Sequence, residues 1–424
     1  MRPALAWALA AALLAAMLSC RHSVPPALEV QPQLVPWTET LPRSGQWREG
    51  FEVADLNGDG RLDIVHGPLR KGRSQPVVLL GTDSRNLVLW APRFPSIPFN
   101  YGDAAVADLD GDGIPDLVLA CHLHGLIALR NDGEGGFEPW GQGLPFSPPS
   151  SWGKTPPFTS RSMEIADWNR DGRPDIVALS EGPSRLGTRG PLGLRVFLNH
   201  GEEWRELSSG SVRVFGNALA VGDVTGDGRP DIVGPPELAG GSMLRVGFGL
   251  GWRSGGGPVL DAGTRLTAAG IADVDGNGRA EILLALQSYG KSAPSARVEI
   301  FAAGSGTHKK VSGTVLLDMP GPVFFTSMAC GDVNGDFLPD LALLDSEGTL
   351  RLFLGGSNGS LRHAVDYAGE DWRAGCSGSH VELADLDNDG RAEIIATFAG
   401  EPGGFGQEKR CRSGGGLQIY RLKP

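Results

Sequence analysis

Asp55-Leu-Asn-Gly-Asp-Gly-Arg-Leu-Asp63 is one of seven related nonapeptides, each with oxygen-bearing side chains at positions one, three, five and nine. The copies begin at Asp55, Asp108, Asp167, Asp223, Asp273, Asp332 and Asp385, so that successive starts lie 50–59 residues apart. Short aliphatic runs flank each copy, such as FEVA (51–54) before it and DIV after it. The pattern predicts a repeat of strand, loop and strand, with one or two further strands in each unit.

Seven such units favour an all-β protein. The chain of 424 residues holds 63 Gly and 31 Pro, which are costly inside helices, while its 41% hydrophobic residues can fill a large core. A meander of three or four strands cannot bury its own faces, so the units must pack on each other. We therefore predict a seven-bladed β-propeller of antiparallel four-stranded blades.

The two ends of the chain indicate how the ring closes. After the seventh loop only residues 394–424 remain, enough for strands two and three of a blade but hardly for a fourth. The strand-like segment 27–35 precedes the first loop, and we predict that it supplies the outermost strand of the last blade. The alternative is that 27–35 is only a linker.

The nonapeptide has the build of a calcium loop. Oxygen side chains at positions one, three and five of a tight loop converge on one point, and hard oxygen ligands suit Ca²⁺. Position seven can add a backbone carbonyl and position nine another carboxylate. Position 12 is His66, Leu119 and Ala178 in the first three copies, where an EF-hand would have Glu, so EF-hands are excluded. The candidate ligands are Asp55, Asn57, Asp59, Asp63, Asp108, Asp110, Asp112, Asp116, Asp167, Asn169, Asp171, Asp175, Asp223, Thr225, Asp227, Asp231, Asp273, Asp275, Asn277, Glu281, Asp332, Asn334, Asp336, Asp340, Asp385, Asp387, Asp389 and Glu393.

These loops with their flanking strands resemble the FG-GAP (VCBS) repeats of integrin α-subunit propellers and of many bacterial exported proteins. The resemblance covers about residues 45–424. It implies up to seven structural Ca²⁺ ions, each between strands one and two of a blade. Thr225 offers a hydroxyl at position three and Phe337 replaces the turn glycine, so sites four and six should bind most weakly. The alternative is a set of metal-free Asp-Gly turns.

The N-terminus has the features of a secretory signal, with Arg2 before an apolar run from Ala4 to Leu18. The ending Met17-Leu18-Ser19-Cys20 resembles a bacterial lipobox, which implies lipidation of Cys20 and an anchor in a bacterial membrane, periplasmic or at the cell surface. Ordinary cleavage near Ala15 or Ala16 is the alternative. The predicted organisation is a signal peptide (1–19), a Pro-rich tether (20–36) and the propeller (37–424).

The remaining cysteines suggest one disulfide. An exported chain permits disulfides, and the strand register places Cys376 and Cys411 on adjoining loops of blade seven, where they could pair. Cys121 and Cys330 fall on strands of blades two and six, too far apart in a ring to pair. Buried free thiols are expected there.

The loops between strands two and three, and between strand four and the next blade, form the expected ligand face. They are long and rich in Arg, Pro and Trp, and their candidate contacts are Arg70, Arg73, Tyr101, Trp152, Lys154, Arg185, Trp372 and Arg373. The alternative for each of them is an exposed loop residue with no role in ligand binding. His122 and His124 alternate on one strand face but make an incomplete metal site.

The leading functional prediction is a calcium-stabilised, non-catalytic surface binding or adhesion module for a glycan or protein ligand. No G-x-S-x-G, HExxH or P-loop motif appears. A carbohydrate-active enzyme resembling a polysaccharide lyase is the alternative, and it requires Lys, Tyr, His or Arg converging at the channel mouth. An envelope scaffold is a third class, which a stable complex in a pull-down would favour.

The net charge of −11 belongs mainly to the loops. They hold 23 of the 49 acidic residues, which leaves 26 acidic against 38 basic residues elsewhere. Seven bound Ca²⁺ ions would bring the formal charge to about +3. The negative charge argues against nucleic acid as a partner, and none is predicted. Bound Ca²⁺ weakens the argument against anionic partners in general, so an acidic polysaccharide is admissible.

Overall fold

The computed structural model describes residues 32–423 except 39, 71–74, 84, 148–150, 152–157, 183–191, 208–213, 239, 290–292, 303–313, 358, 370, 401–410 and 412. The predicted signal peptide, Cys20 and most of the predicted tether lie outside this part of the chain. Within it, the structure contains no helix long and apolar enough to cross a membrane.

The described strands form seven antiparallel sheets of four strands each, which confirms the predicted all-β, seven-bladed propeller. Each of the first six blades is one consecutive meander, and the nonapeptide loop connects its first two strands. Blade 1 comprises β2 (Phe51–Ala54), β3 (Asp63–His66), β4 (Val77–Gly81) and β5 (Leu87–Trp90). Blade 2 comprises β6 (Gly102–Ala107), β7 (Asp116–Cys121), β8 (Gly125–Asn131) and β9 (Phe137–Pro139). Blade 3 comprises β10 (Ser160–Ala166), β11 (Asp175–Ser180), β12 (Leu194–Asn199) and β13 (Trp204–Leu207).

The next three blades repeat the same order. Blade 4 comprises β14 (Ala220–Gly222), β15 (Asp231–Val233), β16 (Leu244–Phe248) and β17 (Gly251–Ser254). Blade 5 comprises β18 (Thr264–Ala272), β19 (Glu281–Ser288), β20 (Ser295–Phe301) and β21 (Thr314–Pro320). Blade 6 comprises β22 (Phe325–Gly331), β23 (Asp340–Asp345), β24 (Leu350–Gly355) and β25 (Leu361–Tyr367).

Blade 7 joins the two ends of the propeller. Its inner strands are β26 (Ser377–Ala384), β27 (Glu393–Ala399) and β28 (Gly415–Lys423), and β1 (Gln33–Pro36) is its outermost strand. β1 pairs antiparallel with β28, with Leu34 opposite Leu422. The strand overlaps the predicted closing segment at residues 33–35, and residues 27–31 lie outside the described residues.

The hydrophobic core is divided among the blade interfaces. Second strands such as β7 are buried along their whole length because another blade covers each face. Each of seven core clusters combines residues of two neighbouring blades. In the cluster between the last and first blades, Ile395 and Leu417 pack with Phe51 and Ile64. Packing between blades therefore continues around the whole ring.

The cysteines divide as the strand register indicated. Cys376 and Cys411 form a disulfide with a Cα–Cα distance of 4.3 Å, and both are buried. Cys121 and Cys330 carry free thiols. Cys121 is fully buried, and burial raises its pKa to about 12, so the thiol stays protonated and unreactive.

Candidate functional site

All seven nonapeptide loops share one backbone-to-side-chain hydrogen-bond pattern. The carboxylate at position one accepts a hydrogen bond of 2.7–3.0 Å from the backbone N–H of position six. The side chain at position five accepts one of 2.8–3.1 Å from the N–H of position seven. These bonds hold the oxygens of positions one and five in a tight loop at the end of strand one.

Each loop contains two residues in the left-handed region, at positions four and six. In the first copy these are Gly58 (φ 72°) and Gly60 (φ 84°). Position four was not predicted from the sequence, and Arg170 (φ 64°) and Asn388 (φ 55°) occupy it in copies three and seven. At position six Phe337 adopts φ 65° with its side chain 91% exposed. The sixth loop therefore keeps the turn although it lacks the glycine.

Phe337→Gly should stabilise the protein by about 1 kcal/mol. A left-handed conformation costs an L-residue roughly 1–2 kcal/mol, and the greater freedom of glycine in the unfolded chain offsets part of that gain. Urea unfolding at saturating calcium measures the difference. Gly278→Phe, at the same position of loop five, is the matched control because a side chain there meets open space. It should destabilise by a similar amount, and a neutral or destabilising Phe337→Gly would contradict the strain argument.

The carboxylates at position nine attach each loop to its blade. They are 0–5% exposed, and each accepts a hydrogen bond of 2.8–3.0 Å from the backbone N–H of position two. In the five Asp copies the second oxygen accepts another, of 2.8–3.0 Å, from the third strand. Burial raises the pKa of Asp63 and Asp116 to about 6 and that of Glu393 to about 7. Position nine was predicted from the sequence only as a metal ligand. The structure shows that it also anchors the loop to the blade.

Three loops bring three carboxylates within 4.8 Å of one another. They are Asp108, Asp110 and Asp116; Asp273, Asp275 and Glu281; and Asp385, Asp387 and Glu393. These are the copies with Asp at position three, where the other four have Asn or Thr. The geometry is that of an oxygen-ligand site for a metal ion.

The seventh loop gives the best test of whether these residues fit a cation. The Asp387 side chain is 2% exposed, and neither of its oxygens has a hydrogen-bond partner among the described residues. Arg85 Nε lies 3.1 Å from Asp387 Oδ2 as an ion pair without hydrogen-bond geometry. Arg85 offsets part of the cost of burying this carboxylate, while both of its oxygens keep lone pairs that no hydrogen bond occupies. The donor set therefore fits a hard metal ion.

The structure describes four of the eight predicted ligand-face residues. Arg73, Trp152, Lys154 and Arg185 lie outside the described residues. Arg373 is 3% exposed, donates a hydrogen bond to Gly348 O and lies 4.3 Å from the ring centroid of Phe398. Trp372 packs edge-on against the same ring, with centroids 6.1 Å apart. Arg373 is therefore a packing residue, and its assignment as a ligand contact must be corrected.

Arg70 and Tyr101 do come together, in an aromatic and cationic cluster of blades 1–3. The guanidinium carbons of Arg70 and Arg161 lie 5.5 and 5.9 Å from the ring centroid of Tyr101. The ring of His122 stacks on Tyr101 with centroids 4.5 Å apart. We call Arg70, Tyr101, His122 and Arg161 the mouth cluster, because Arg161 also lines the cavity at the end of the channel opposite the nonapeptide loops.

Two carboxylates hold the mouth cluster in place. Arg161 donates to Glu49 at 2.5 Å and lies 3.1 Å from Glu181, which also pairs with His122 Nδ1. Burial raises the pKa of Glu181, but the hydrogen bond and charge of His122 outweigh it, so this pKa is lowered. Burial raises the pKa of Tyr101 and keeps its hydroxyl protonated. His124 is not part of the mouth cluster. Its side chain is 8% exposed and packs edge-on against Phe146.

The central channel carries carboxylates that the sequence analysis missed. Glu52, Glu164 and Glu382 lie in FEVA, MEIA and VELA, each three residues before a loop, where the other copies have Ala or Gly. Asp103 lies one pleat further back in β6 and accepts hydrogen bonds from Met163 N and Ala104 N. The sequence did contain a signal for these residues: a glutamate recurs at the same position of three first-strand segments that are otherwise apolar.

These channel carboxylates are hard to ionise. Burial, followed by the charges of Glu382 and Asp103, raises the pKa of Glu52 to about 7. Burial raises the pKa of Asp103 to about 7 and that of Glu164 well above its usual range. Burial lowers the pKa of His380, but the hydrogen bond and charge of Glu382 outweigh it, so this pKa is raised.

The free energy of unfolding should rise by about 2–4 kcal/mol between pH 8 and pH 5.5 because of these groups. A carboxyl with a raised pKa in the folded state opposes folding where it is ionised, and this penalty disappears as it takes up a proton. Urea unfolding at saturating calcium measures the slope. Glu52→Gln/Glu164→Gln should flatten it, and Glu138→Gln on the exposed face of β9 should not. A slope unaffected by the channel variant would contradict the prediction.

Comparison with solved structures gives matches of low sequence identity. A crystal structure of BBS1N in complex with ARL6DN matches with a TM-score of 0.52 and 12% identity, over 92% of this chain and 97% of that one. The biofilm matrix protein Bap1 of V. cholerae matches with a TM-score of 0.39 and 13% identity, over 93% of this chain and 91% of that one.

Sequence comparison identifies the repeat. No curated protein matches the chain significantly. The model of the FG-GAP-like repeat matches residues 108–178, 167–234 and 292–396, together more than half of the chain. The chain belongs to the FG-GAP-like repeat family.

Proposed function

We propose that the protein is a calcium-stabilised, non-catalytic binding module that recognises a glycan or protein ligand on the face opposite the nonapeptide loops. The loop side chains at positions one, three, five and nine would hold Ca²⁺, which supplies positive charge that offsets the repulsion of three or four carboxylates in each loop. The buried, unbonded oxygens of Asp387 support this role. Sites four and six should be the weakest.

The ligand face is centred on the mouth cluster. The observation that carries this proposal is the convergence of two predicted contacts, Arg70 and Tyr101, with His122 and Arg161. An aromatic ring flanked by guanidinium groups is suited to sugar rings and to anionic groups. An acidic polysaccharide is therefore the preferred ligand class.

A glycan and protein-ligand array in the presence of calcium tests the ligand face. Arg70→Ala and Tyr101→Ala should each reduce binding to the recognised ligand at least tenfold. Arg205→Ala, on the exposed outer strand of blade 3, is the matched control and should leave binding unchanged. Ligand binding that none of these variants alters would place the site elsewhere.

A carbohydrate-active enzyme resembling a polysaccharide lyase remains the second candidate. Tyr101, His122 and Arg161 do come together, and Arg161 lines the cavity at the mouth, where this function requires such residues. Arg161, however, is already paired with Glu49 and Glu181. Incubation with acidic polysaccharides, followed by the ultraviolet absorbance of unsaturated products, separates the two functions. Turnover abolished by His122→Gln would favour the enzyme.

The proposal includes export and a lipid anchor, with residues 1–19 as the signal peptide and Cys20 as the lipidated residue. It rests on the sequence Met17-Leu18-Ser19-Cys20. Metabolic labelling with a fatty acid in a bacterial host tests it. The wild type should incorporate label and Cys20→Ser should not, while label in both proteins would exclude this anchor.

A further inference from the structure

The central channel is asymmetric around the ring. Blades 7, 1, 2 and 3 are consecutive, and each contributes a carboxylate from its innermost strand. Blades 4, 5 and 6 have Ala220, Gly270 and Ala329 at the position of the three glutamates. One half of the channel wall therefore carries carboxylates, and the other half carries Ala or Gly at the position of the glutamates.

The small residues leave a cavity beside the carboxylates. An inner cavity of about 320 Å³ is lined by Glu164, Glu382 and His380 on one side and by Ile271, Met328 and Cys330 on the other. It shares Glu164, Leu219 and His380, among others, with a second cavity of about 380 Å³, which extends to the mouth and includes Asp103. Cavities of this size are those that small organic ligands occupy.

Protein cations offset the charge of this wall only in part. The described lining of the inner cavity contains no Lys or Arg, and its one basic side chain is His380. Arg48 and Arg161 line the second cavity, and Arg161 is paired there with Glu49 and Glu181. His380 Nε2 donates a hydrogen bond of 2.8 Å to Glu382 Oε1, and its Nδ1 lies 3.3 Å from Ser327 Oγ. Asp103 and Glu164 line the second cavity together. Glu52 lies near enough for its charge to act on Glu164, so the three carboxylates repel one another when they are ionised.

The channel carboxylates are spread around the ring, unlike those of the loops. Among the described residues, the groups of carboxylates close enough to hold one metal ion are all in the nonapeptide loops. A compact metal ion would therefore meet too few channel oxygens at once. An elongated cation with an apolar body matches both halves of the wall.

We propose that the central channel binds a small aliphatic amine, with its ammonium group among Glu52, Asp103, Glu164 and Glu382 and its methylene chain against Ile271, Met328 and the small residues of blades 4–6. This ligand site is distinct from the ligand face at the mouth cluster and from the calcium loops. The ammonium offsets the repulsion of the carboxylates, and the chain fills space that Ala220, Gly270 and Ala329 leave open.

Isothermal titration calorimetry with n-pentylamine at pH 8 tests the site on full-length protein whose loops are saturated with calcium. One equivalent should bind with a dissociation constant below about 1 mM, whereas pentan-1-ol, of the same length without charge, should not bind. Saturation of the loops keeps the amine out of them, so that failure of this site would leave the calcium and glycan proposals untouched.

Variants locate the bound amine. Glu164→Gln and Glu52→Gln should each weaken binding at least tenfold, and Ala329→Leu should weaken it as strongly by filling the cavity. Glu138→Gln, an exposed carboxylate outside the channel, should bind like the wild type. Where a channel variant does not fold, the comparison of pentylamine with pentanol on the wild type still decides. Absence of amine binding, equal binding of the alcohol, or equal affinity in the wild type and the folded channel variants would overturn the proposal.

Discussion

Removal of calcium by excess EGTA should lower the melting temperature of the protein by about 20 °C. A ligand at a hundred times its dissociation constant stabilises a fold by about 2.7 kcal/mol per site, and up to seven loops contribute. Without Ca²⁺, three or four carboxylates repel in each loop, and the buried Asp387 is left with its ion pair to Arg85 and no hydrogen bond. Differential scanning calorimetry with and without chelator measures the shift.

The calcium prediction has matched controls within the chain. Asp387→Asn removes a charge from the seventh loop and should reduce the calcium-dependent gain in melting temperature by a measurable part of the total. Asp318→Asn, a carboxylate of β21 outside the loops, should leave the gain unchanged. Refilling with Ca²⁺ should restore the wild-type melt. An unchanged melt in excess chelator would contradict structural calcium.

A chain that begins at Trp37 should lose about 4–6 kcal/mol of stability relative to one that begins at Pro32. The four residues of β1 pair with β28, and Leu34 is 5% exposed in the core between blades 6 and 7. Loss of the ladder bonds at about 1 kcal/mol each, together with the burial of one leucine, gives this magnitude. Urea unfolding at saturating calcium compares the two chains directly.

Loss of β1 should also change solution behaviour. It exposes the edge of β28, and an unpaired edge promotes association between copies. Leu34→Ala keeps the backbone pairing and should cost only about 2–4 kcal/mol, which separates side-chain packing from strand pairing. Equal stability of the chains beginning at Trp37 and at Pro32 would show that β1 does not close the ring.

Much of the fold could be predicted because the repeat is strict. Aspartates at fixed spacing mark the end of each first strand, and aliphatic runs such as DLVLAC (116–121) mark a second strand that is covered on both faces. These are local or counting arguments, which do not depend on how neighbouring blades are placed. The closure of the ring is seen directly in β1, which pairs with β28 as the fourth strand of blade 7.

The sites were less predictable because they depend on residues far apart in the chain. Arg161 was not considered, although it contacts Tyr101 across a blade boundary. Arg373 looked like an exposed loop cation but is enclosed by Phe398, Tyr367 and Gly348 O. The glutamates of the channel stood in strands that were interpreted only for their aliphatic residues. Sequence spacing alone does not show which distant side chains meet.

Calcium stoichiometry is the most direct test of the central claim, that the nonapeptide loops bind the ion that stabilises the propeller. Protein dialysed against buffered calcium and analysed by atomic emission should contain five to seven Ca²⁺ per chain, with loops four and six the first to empty as free calcium falls. The double variant Asp385→Ala/Asp387→Ala should bind one Ca²⁺ fewer per chain at saturating calcium. Fewer than two Ca²⁺ per folded chain at millimolar free calcium would contradict the account.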